Sequence, residues 1–116
     1  MNFSTLASVL LAAAVGLGAF GAHGLKDRLD AYSLGIWEKA VFYHFVHALG
    51  MLIVAGWQRA DTSAVCWLLG AGILLFSGSL YVLALTRILT LGAITPLGGV
   101  SFIAAWVLLA FRLSSR

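Results

Sequence analysis

Residues 62–86 have the sequence TSAVCWLLGAGILLFSGSLYVLALT, which contains no Asp, Glu, Lys or Arg. Three further runs, 1–24, 40–58 and 88–111, are free of these residues too. A charged side chain at the centre of a membrane helix costs roughly 2.5 to 3.5 kcal/mol, and about 20 apolar residues are enough to cross a bilayer. Four such runs in 116 residues therefore indicate an integral-membrane protein.

The composition leaves no room for a soluble domain, since 62% of the residues are hydrophobic and 9% are charged, against about 25% charged in typical soluble domains. We therefore expect a single integral-membrane domain over residues 1–116. The first run has no early Lys or Arg, so we expect a retained span rather than a signal peptide. With one cysteine and no basic run, the sequence predicts no intrachain disulfide and no nucleic acid partner, and its net charge of +3 favours contact with lipid headgroups.

Backbone inside a bilayer must be hydrogen-bonded within helices or within a closed barrel. Uninterrupted apolar runs of this length exclude the alternating strands of a barrel. We therefore predict an all-α fold, a four-helix transmembrane bundle with spans at about 2–23, 40–58, 62–86 and 90–111.

Two connecting segments carry local signals. Between helices 1 and 2 we predict a short interfacial helix, with Gly24 and Gly35 as breaks, because apolar residues recur there at helical spacing: Leu25, Leu29, Tyr32 and Ile36. In the last run, Thr95-Pro96 fits either a kink in one long helix or a fresh helix start. We favour the fresh start, which leaves residues 89–94 as a shallow irregular segment.

Four crossings place both termini on one side of the membrane, together with the turn at residues 58–61; we call this side A. Side B contains the loop between the first two spans and the turn at Arg87. Cations are spread over both sides: Arg59, Arg112 and Arg116 on side A, and Lys26, Arg28, Lys39 and Arg87 on side B. The positive-inside rule does not separate the two orientations. We favour cytoplasmic termini because acidic residues accompany the cations of the side B loop.

The helix directions place most polar residues in the half of the membrane next to side B. The first span ends there with a histidine, the second begins there with a tyrosine and two histidines, and the third and fourth add hydroxyl groups. Polar groups inside spans mark sites and pathways. We predict a polar vestibule that binds a small ligand, lipid headgroup or proton through His23, Tyr43, His44, His47, Ser77, Tyr81 and Thr95.

The same polar residues have structural explanations, since a histidine or hydroxyl can satisfy a polar group of a neighbouring helix. A metal site is a further alternative, with His23, His44 and His47 as ligands and Glu38 as a distant fourth, although no HExxH motif or cysteine pair supports it. We expect no metal, no cofactor and no catalytic residue. Proton movement is also an alternative, but the side A half offers no continuing polar track.

Four motifs of this chain resemble one known family. They are GAFGAHGL at 18–25, YHFVHAL at 43–49, FSGSLY at 76–81 and TPLGG at 95–99. Together they cover nearly the whole chain and are similar to the small membrane family known as domain of unknown function 423, which includes the animal mitochondrial proteins called transmembrane protein 256. The resemblance implies a four-span protein of the bacterial inner membrane whose activity is not established. It implies no catalytic residues.

Three functional hypotheses stay open at this point. The first is a non-enzymatic membrane component that binds its ligand in the side B vestibule, as a minimal transporter or channel subunit. The second is a structural or assembly partner of a larger membrane complex, or a homo-oligomer formed through small residues such as Gly18 and Gly70. The third is a membrane enzyme that uses a histidine-bound metal.

Overall fold

The computed structural model describes residues 2–114, so Arg116 of the side A count lies outside the described residues. Four candidate spans are present and there is no strand between residues 2 and 114, which confirms the all-α four-span fold. The five α-helices are α1 Phe3–His23, α2 Ala31–Gly56, α3 Ser63–Gly72, α4 Gly78–Thr86 and α5 Thr95–Ser114. A π-helical stretch at Ile73–Ser77 joins α3 to α4 within the third span, and short 3-10 helices at Ala60–Thr62 and Leu89–Ala93 precede the third and fourth spans.

Local side-chain and backbone contacts define where the helices begin and end. Asn2 caps α1 by accepting a hydrogen bond from the Thr5 backbone N–H at 2.8 Å, and Asp30 caps α2 in the same way through Ser33 at 2.8 Å. The third span ends at Arg87, which has φ 60° and donates its backbone N–H to the Leu83 carbonyl. The chain therefore turns sharply on side B before the fourth span.

The predicted separate interfacial helix between helices 1 and 2 is wrong. Residues 25–29 form a hydrogen-bonded turn, in which the backbone N–H groups of Arg28 and Leu29 both donate to the Leu25 carbonyl. The Asp30 cap then starts α2, which continues through Gly35 without a break. One glycine costs a helix only about 1 kcal/mol, less than the packing of a long helix returns.

The fourth segment has the fresh helix start that its Thr-Pro pair predicted. Helix α5 begins at Thr95, and the preceding residues form a 3-10 helix at Leu89–Ala93 rather than an irregular segment. Proline at the start of a helix removes an N–H that has no partner within the helix. The exposed 3-10 helix lies next to Arg87, on side B.

The bundle core lies between α2, the third span and α5. Its fully buried side chains include Met51, Val65 and Leu69, with Phe102 packed beside them. Helix α1 packs mainly along α2 and is the least buried of the four spans. One face of α1 and the adjoining surface of α2 are therefore left open to lipid.

Candidate functional site

A buried histidine and a tyrosine join the second span to the third. The His44 side chain on α2 is almost completely buried, and its Nδ1 lies 2.8 Å from the Tyr81 hydroxyl on α4. The tautomer decides which of the two donates. His44 Nε2 is buried without a hydrogen-bond partner among residues 2–114, although the Leu10 backbone of α1 lies close enough to interact with the imidazole.

His47 is a packing residue in this structure. Its Nδ1–H donates to the Tyr43 carbonyl one turn earlier in α2, at 2.9 Å. The imidazole lies flat on the Phe102 ring of α5, with 3.5 Å between centroids and an interplanar angle of 11°, and it is also parallel to the half-buried Tyr43 ring. His47 is thus enclosed by aromatic side chains from two spans.

The serine and threonine hydroxyls also connect separate spans. Ser77 is fully buried at the end of the π-helical stretch and donates to the Ala40 carbonyl of α2 at 2.8 Å. Ser79 lies 2.6 Å from the hydroxyl of Thr95, which begins α5. These bonds satisfy polar groups that lipid cannot hydrogen-bond, so each of them holds two spans together.

The predicted site residues are thus found in separate contacts, and direct ligand binding by them stays a prediction. His44 contacts Tyr81, His47 contacts Tyr43, and His23 is exposed at the end of α1. Within residues 2–114 there is no group of three or more His, Cys, Asp and Glu side chains that could hold a metal ion. The histidine-metal arrangement considered from the sequence is not formed by these side chains.

A groove of about 650 Å³ lies between α1 and α2 in the side B half. It is lined by Gly18, Gly21, Ala22, Lys26, Leu34, Trp37, Glu38, Val41, Phe42 and Phe45. Trp37 is buried beside the groove and its indole N–H donates to the Leu17 carbonyl at 2.9 Å. A Cβ at Gly21 would lie 2.5 Å from Trp37 Nε1, so only glycine lets the indole approach α1 this closely.

The rim of this groove carries two charges of opposite sign. Lys26 in the turn before α2 and Glu38 on α2 are both exposed and both line the groove. Neither takes part in an ion pair with the described residues, whereas Asp30 and Arg87 in the same region are paired at 2.6 Å. The groove thus presents apolar walls, and at its rim Lys26 and Glu38 have no ion-pair partner within residues 2–114.

The groove is connected to the buried pair through Trp37. The Trp37 ring packs on Tyr81 with 4.8 Å between centroids, and Tyr81 in turn contacts His44. His44 and Tyr81 are therefore connected by direct contacts to Trp37, which lines the groove.

The sequence did not predict this groove, because the residues that line it were interpreted separately. Gly18 was interpreted as a helix-packing residue, and neither Gly21 nor Trp37 was assigned to a site. A usable signal was present, since the first helix has glycines three apart near its end and the second helix has a tryptophan near its start. Lys26 was counted only for the membrane orientation, and Glu38 was considered as a distant metal ligand.

Comparison with known proteins identifies relatives by sequence. The family model described as protein of unknown function DUF423 matches residues 17–99. The UPF0382 membrane protein SSP2132 from Staphylococcus saprophyticus is 54% identical over 99 residues, which cover 83% of this chain and 82% of the relative. The UPF0382 membrane protein YwdK from Bacillus subtilis is 48% identical over 114 residues, covering 92% and 91% of the two chains. No solved structure matches this chain.

Proposed function

This chain belongs to the DUF423 family, whose relatives found here are bacterial membrane proteins, and we propose that it binds a zwitterionic phospholipid in the groove between α1 and α2 without catalysing a reaction. The observation that carries the proposal is the combination of apolar groove walls with Lys26 and Glu38 at the rim, neither of which forms an ion pair with another described residue.

The dimensions of the groove suit part of a lipid. Ligand sites typically have volumes of about 300 to 1,000 Å³ and are lined mainly by apolar and aromatic side chains. The groove has about 650 Å³, and Phe42 and Phe45 are among the residues that line it. An acyl chain would lie against these rings, with the headgroup nearer to side B.

The charges select the headgroup. Lys26 is suited to a phosphate, and Glu38 is suited to an ammonium group. A headgroup that carries both groups leaves neither charge of the protein unpaired, whereas a purely anionic headgroup leaves Glu38 facing a like charge. This is why we propose an ethanolamine-type phospholipid.

Two of the residues predicted from the sequence, His44 and Tyr81, are connected to this groove through Trp37. We propose that His44 and Tyr81 act as positioning residues, because they hold Trp37 against the groove. Direct ligand contact by His23, Tyr43, His44, His47, Ser77, Tyr81 and Thr95 stays a prediction. The groove and the vestibule predicted from the sequence are both assigned to the side B half of the membrane. The proposed ligand contacts are mainly those of Lys26, Glu38 and Trp37.

Native mass spectrometry of the full chain, titrated with phosphatidylethanolamine and phosphatidylglycerol of the same acyl chains, tests the proposal. The wild type should bind the ethanolamine lipid more tightly. Glu38→Gln should weaken this binding about tenfold, because a charged hydrogen bond is lost, and should reduce the preference between the two lipids. Ala22→Phe should fill the groove and weaken binding of both lipids at this site.

The matched control is Ala19→Phe, which adds the same bulk to an exposed α1 position that does not line the groove. This variant should bind lipid as the wild type does. Equal affinity of the wild type for the two lipids, together with unchanged binding by Glu38→Gln, would refute the proposed headgroup selection.

A structural role in a larger complex is the second candidate function. It is favoured by the interhelical bonds of Ser77 and Ser79, which show that polar side chains hold the spans together. If this is the main function, His47→Ala should unfold the bundle without a separable effect on lipid binding. Other membrane subunits should then co-purify with the wild-type chain from its native membrane.

For location we propose the bacterial inner membrane with cytoplasmic termini. The relatives are bacterial membrane proteins, and the four apolar helices of this chain agree with them. A reporter that is active only in the cytoplasm, fused after the last residue, should be active. Activity of a periplasmic reporter at the same position would reverse the orientation.

A further inference from the structure

A second cavity lies at the opposite end of the molecule, on side A. It has a volume of about 210 Å³ and is lined by Asn2, Phe3, Ser4, Ala55, Gln58, Arg59, Thr62, Ser63 and Cys66. A more apolar cavity of about 430 Å³ adjoins it and shares Asn2, Phe3 and Ser63 with it, adding Leu6 and Trp67. A polar chamber is thus followed by an apolar one between α1 and α3.

Arg59 supplies a buried donor at the polar chamber. Its Nε donates to one Asp61 carboxylate oxygen at 2.9 Å, and its Nη2 donates to the other carboxylate oxygen and to the Arg112 carbonyl at 3.2 Å. Its Nη1 is buried and has no hydrogen-bond partner among residues 2–114. The Arg59 side chain as a whole is 21% exposed and lines the polar cavity, so an anion bound there would lie beside a guanidinium that has one donor unused among residues 2–114.

The charge of the cluster favours an anion. Arg112 also reaches this cluster, because its Nη1 donates to the Asp61 backbone carbonyl at 2.7 Å. Among the described residues, the cluster contains the guanidinium groups of Arg59 and Arg112 and one carboxylate, that of Asp61, a composition that suits an anion.

The turn that carries Arg59 is held in place by several contacts. Gln58 has φ 56°, a left-handed conformation that is rare for residues other than glycine and is found at functional sites. The Thr62 hydroxyl donates to the Arg59 carbonyl at 2.7 Å. The guanidinium is therefore presented by a fixed turn rather than by a free side chain.

We propose that these two cavities form a phospholipid site on side A, independent of the groove on side B. The phosphate oxygens would accept from Arg59 and from the hydroxyl of Ser63, which begins α3. One acyl chain would follow the apolar cavity along Leu6 and Trp67, where Phe3 packs edge-on against the indole with 5.3 Å between ring centroids. The recognised chemistry is a phosphate ester joined to an acyl chain.

Native mass spectrometry with phosphatidylglycerol and with diacylglycerol of the same acyl chains tests this site, since the two lipids differ by the phosphoglycerol group. The experiment uses the full chain carrying Ala22→Phe, which removes the side B groove. Arg59→Gln and Ser63→Phe should each weaken phosphatidylglycerol binding about tenfold or more. Arg59→Gln should leave the weaker binding of diacylglycerol nearly unchanged, because diacylglycerol has no phosphate to contact the guanidinium.

Matched controls separate the site from general effects of charge and bulk. Arg28→Gln removes an exposed cation on side B, and Ala64→Phe adds bulk at an exposed α3 position that lines neither cavity. Both should bind as the parent chain does. Ser63→Phe leaves the Arg59 contacts to Asp61 in place, so it decides the matter if Arg59→Gln does not fold.

Unchanged phosphatidylglycerol binding by Ser63→Phe would overturn the proposal. So would displacement of the bound lipid by millimolar inorganic phosphate, because the site would then be specific for a free anion rather than for a phospholipid.

Discussion

Several polar side chains among the spans donate hydrogen bonds to a neighbouring helix. Ser77 and Ser101 both donate to backbone carbonyls of other spans, at 2.8 and 2.7 Å. Trp37 does the same towards α1. Because apolar bulk alone gives no preference for helix over lipid, such bonds contribute to the choice of neighbours in the bundle.

Tyr81→Phe should destabilise the protein by about 1 kcal/mol, the usual worth of an interhelical hydrogen bond in a membrane protein. The substitution removes the hydroxyl that contacts His44 and leaves the ring packing on Trp37 intact. The free energy of unfolding in mixed micelles measures the effect. Tyr32→Phe, which removes an exposed hydroxyl on side B, is the control and should be neutral.

Asp30 should make the stability depend on acid pH. The Ser33 backbone N–H donates to this carboxylate, and together with the nearby Arg87 guanidinium it holds the pKa of Asp30 below its usual value of 3.8. A lowered folded-state pKa means that the contribution is present above the unfolded pKa and is lost as the pH falls through the folded pKa. Asp30→Asn should therefore show a smaller fall in unfolding free energy below about pH 4 than the wild type. Asp27→Asn, in the same loop, should follow the wild-type profile.

At the scale of the elements, the third span is not a continuous α-helix. The π-helical stretch Ile73–Ser77 carries the Ser77 hydroxyl that reaches α2, and its Phe76 backbone lies against Gly98 of α5. π-Helical turns insert an extra residue into a helix and change which side chains face a neighbour. This stretch is therefore one of the places at which the third span contacts both α2 and α5.

Gly98→Ala should destabilise the bundle by roughly 1 to 3 kcal/mol, the cost of overpacking. A Cβ at this position would lie 2.7 Å from Phe76 Cα, and backbone cannot move aside as a flexible side chain can. Gly99→Ala is the matched control, since its Cβ would meet only the Phe76 ring at 3.9 Å. Equal effects of the two substitutions on the free energy of unfolding would contradict this interpretation of the contact.

At the scale of the whole molecule, the two ends have similar designs. The longest dimension is 50 Å, which exceeds the hydrocarbon thickness of about 30 Å and places both ends at the membrane interfaces. One end has the Asp30–Arg87 pair, and the other has Arg59, Asp61 and Arg112. Helix α1 lines a cavity at each end, with α2 on side B and with α3 on side A.

We expect the side B groove and the side A site to bind lipid independently. Native mass spectrometry should show two retained phospholipids on the wild type, one on Ala22→Phe or Ser63→Phe, and none on the double variant. Ala22 lies at the side B end of α1 and Ser63 lies at the side A end of α3, so the effects of the two substitutions should add. Loss of both lipids on either single variant would show that the cavities are coupled.

The fold class and the order of the spans followed from the sequence, because lipid imposes one strong constraint on every residue of a span. Charge-free runs such as 62–86 can only be buried in the bilayer, and a buried backbone in long apolar runs can only be helical. The helix start at Thr95-Pro96 also followed, because proline acts on the backbone of its own neighbourhood.

What depended on the three-dimensional packing was which side chains meet. His23 and His47 belong to the same membrane half, yet one is exposed and the other lies on Phe102, because helix rotation rather than depth decides a side chain's partners. Leu25 and Ile36 had helical spacing, but the Asp30 cap assigned them to a turn and to α2. The side B groove and the side A cavities belong to this second group, since each is lined by side chains of separate helices. The close approach of Trp37 to α1 beside the groove also requires glycine at position 21.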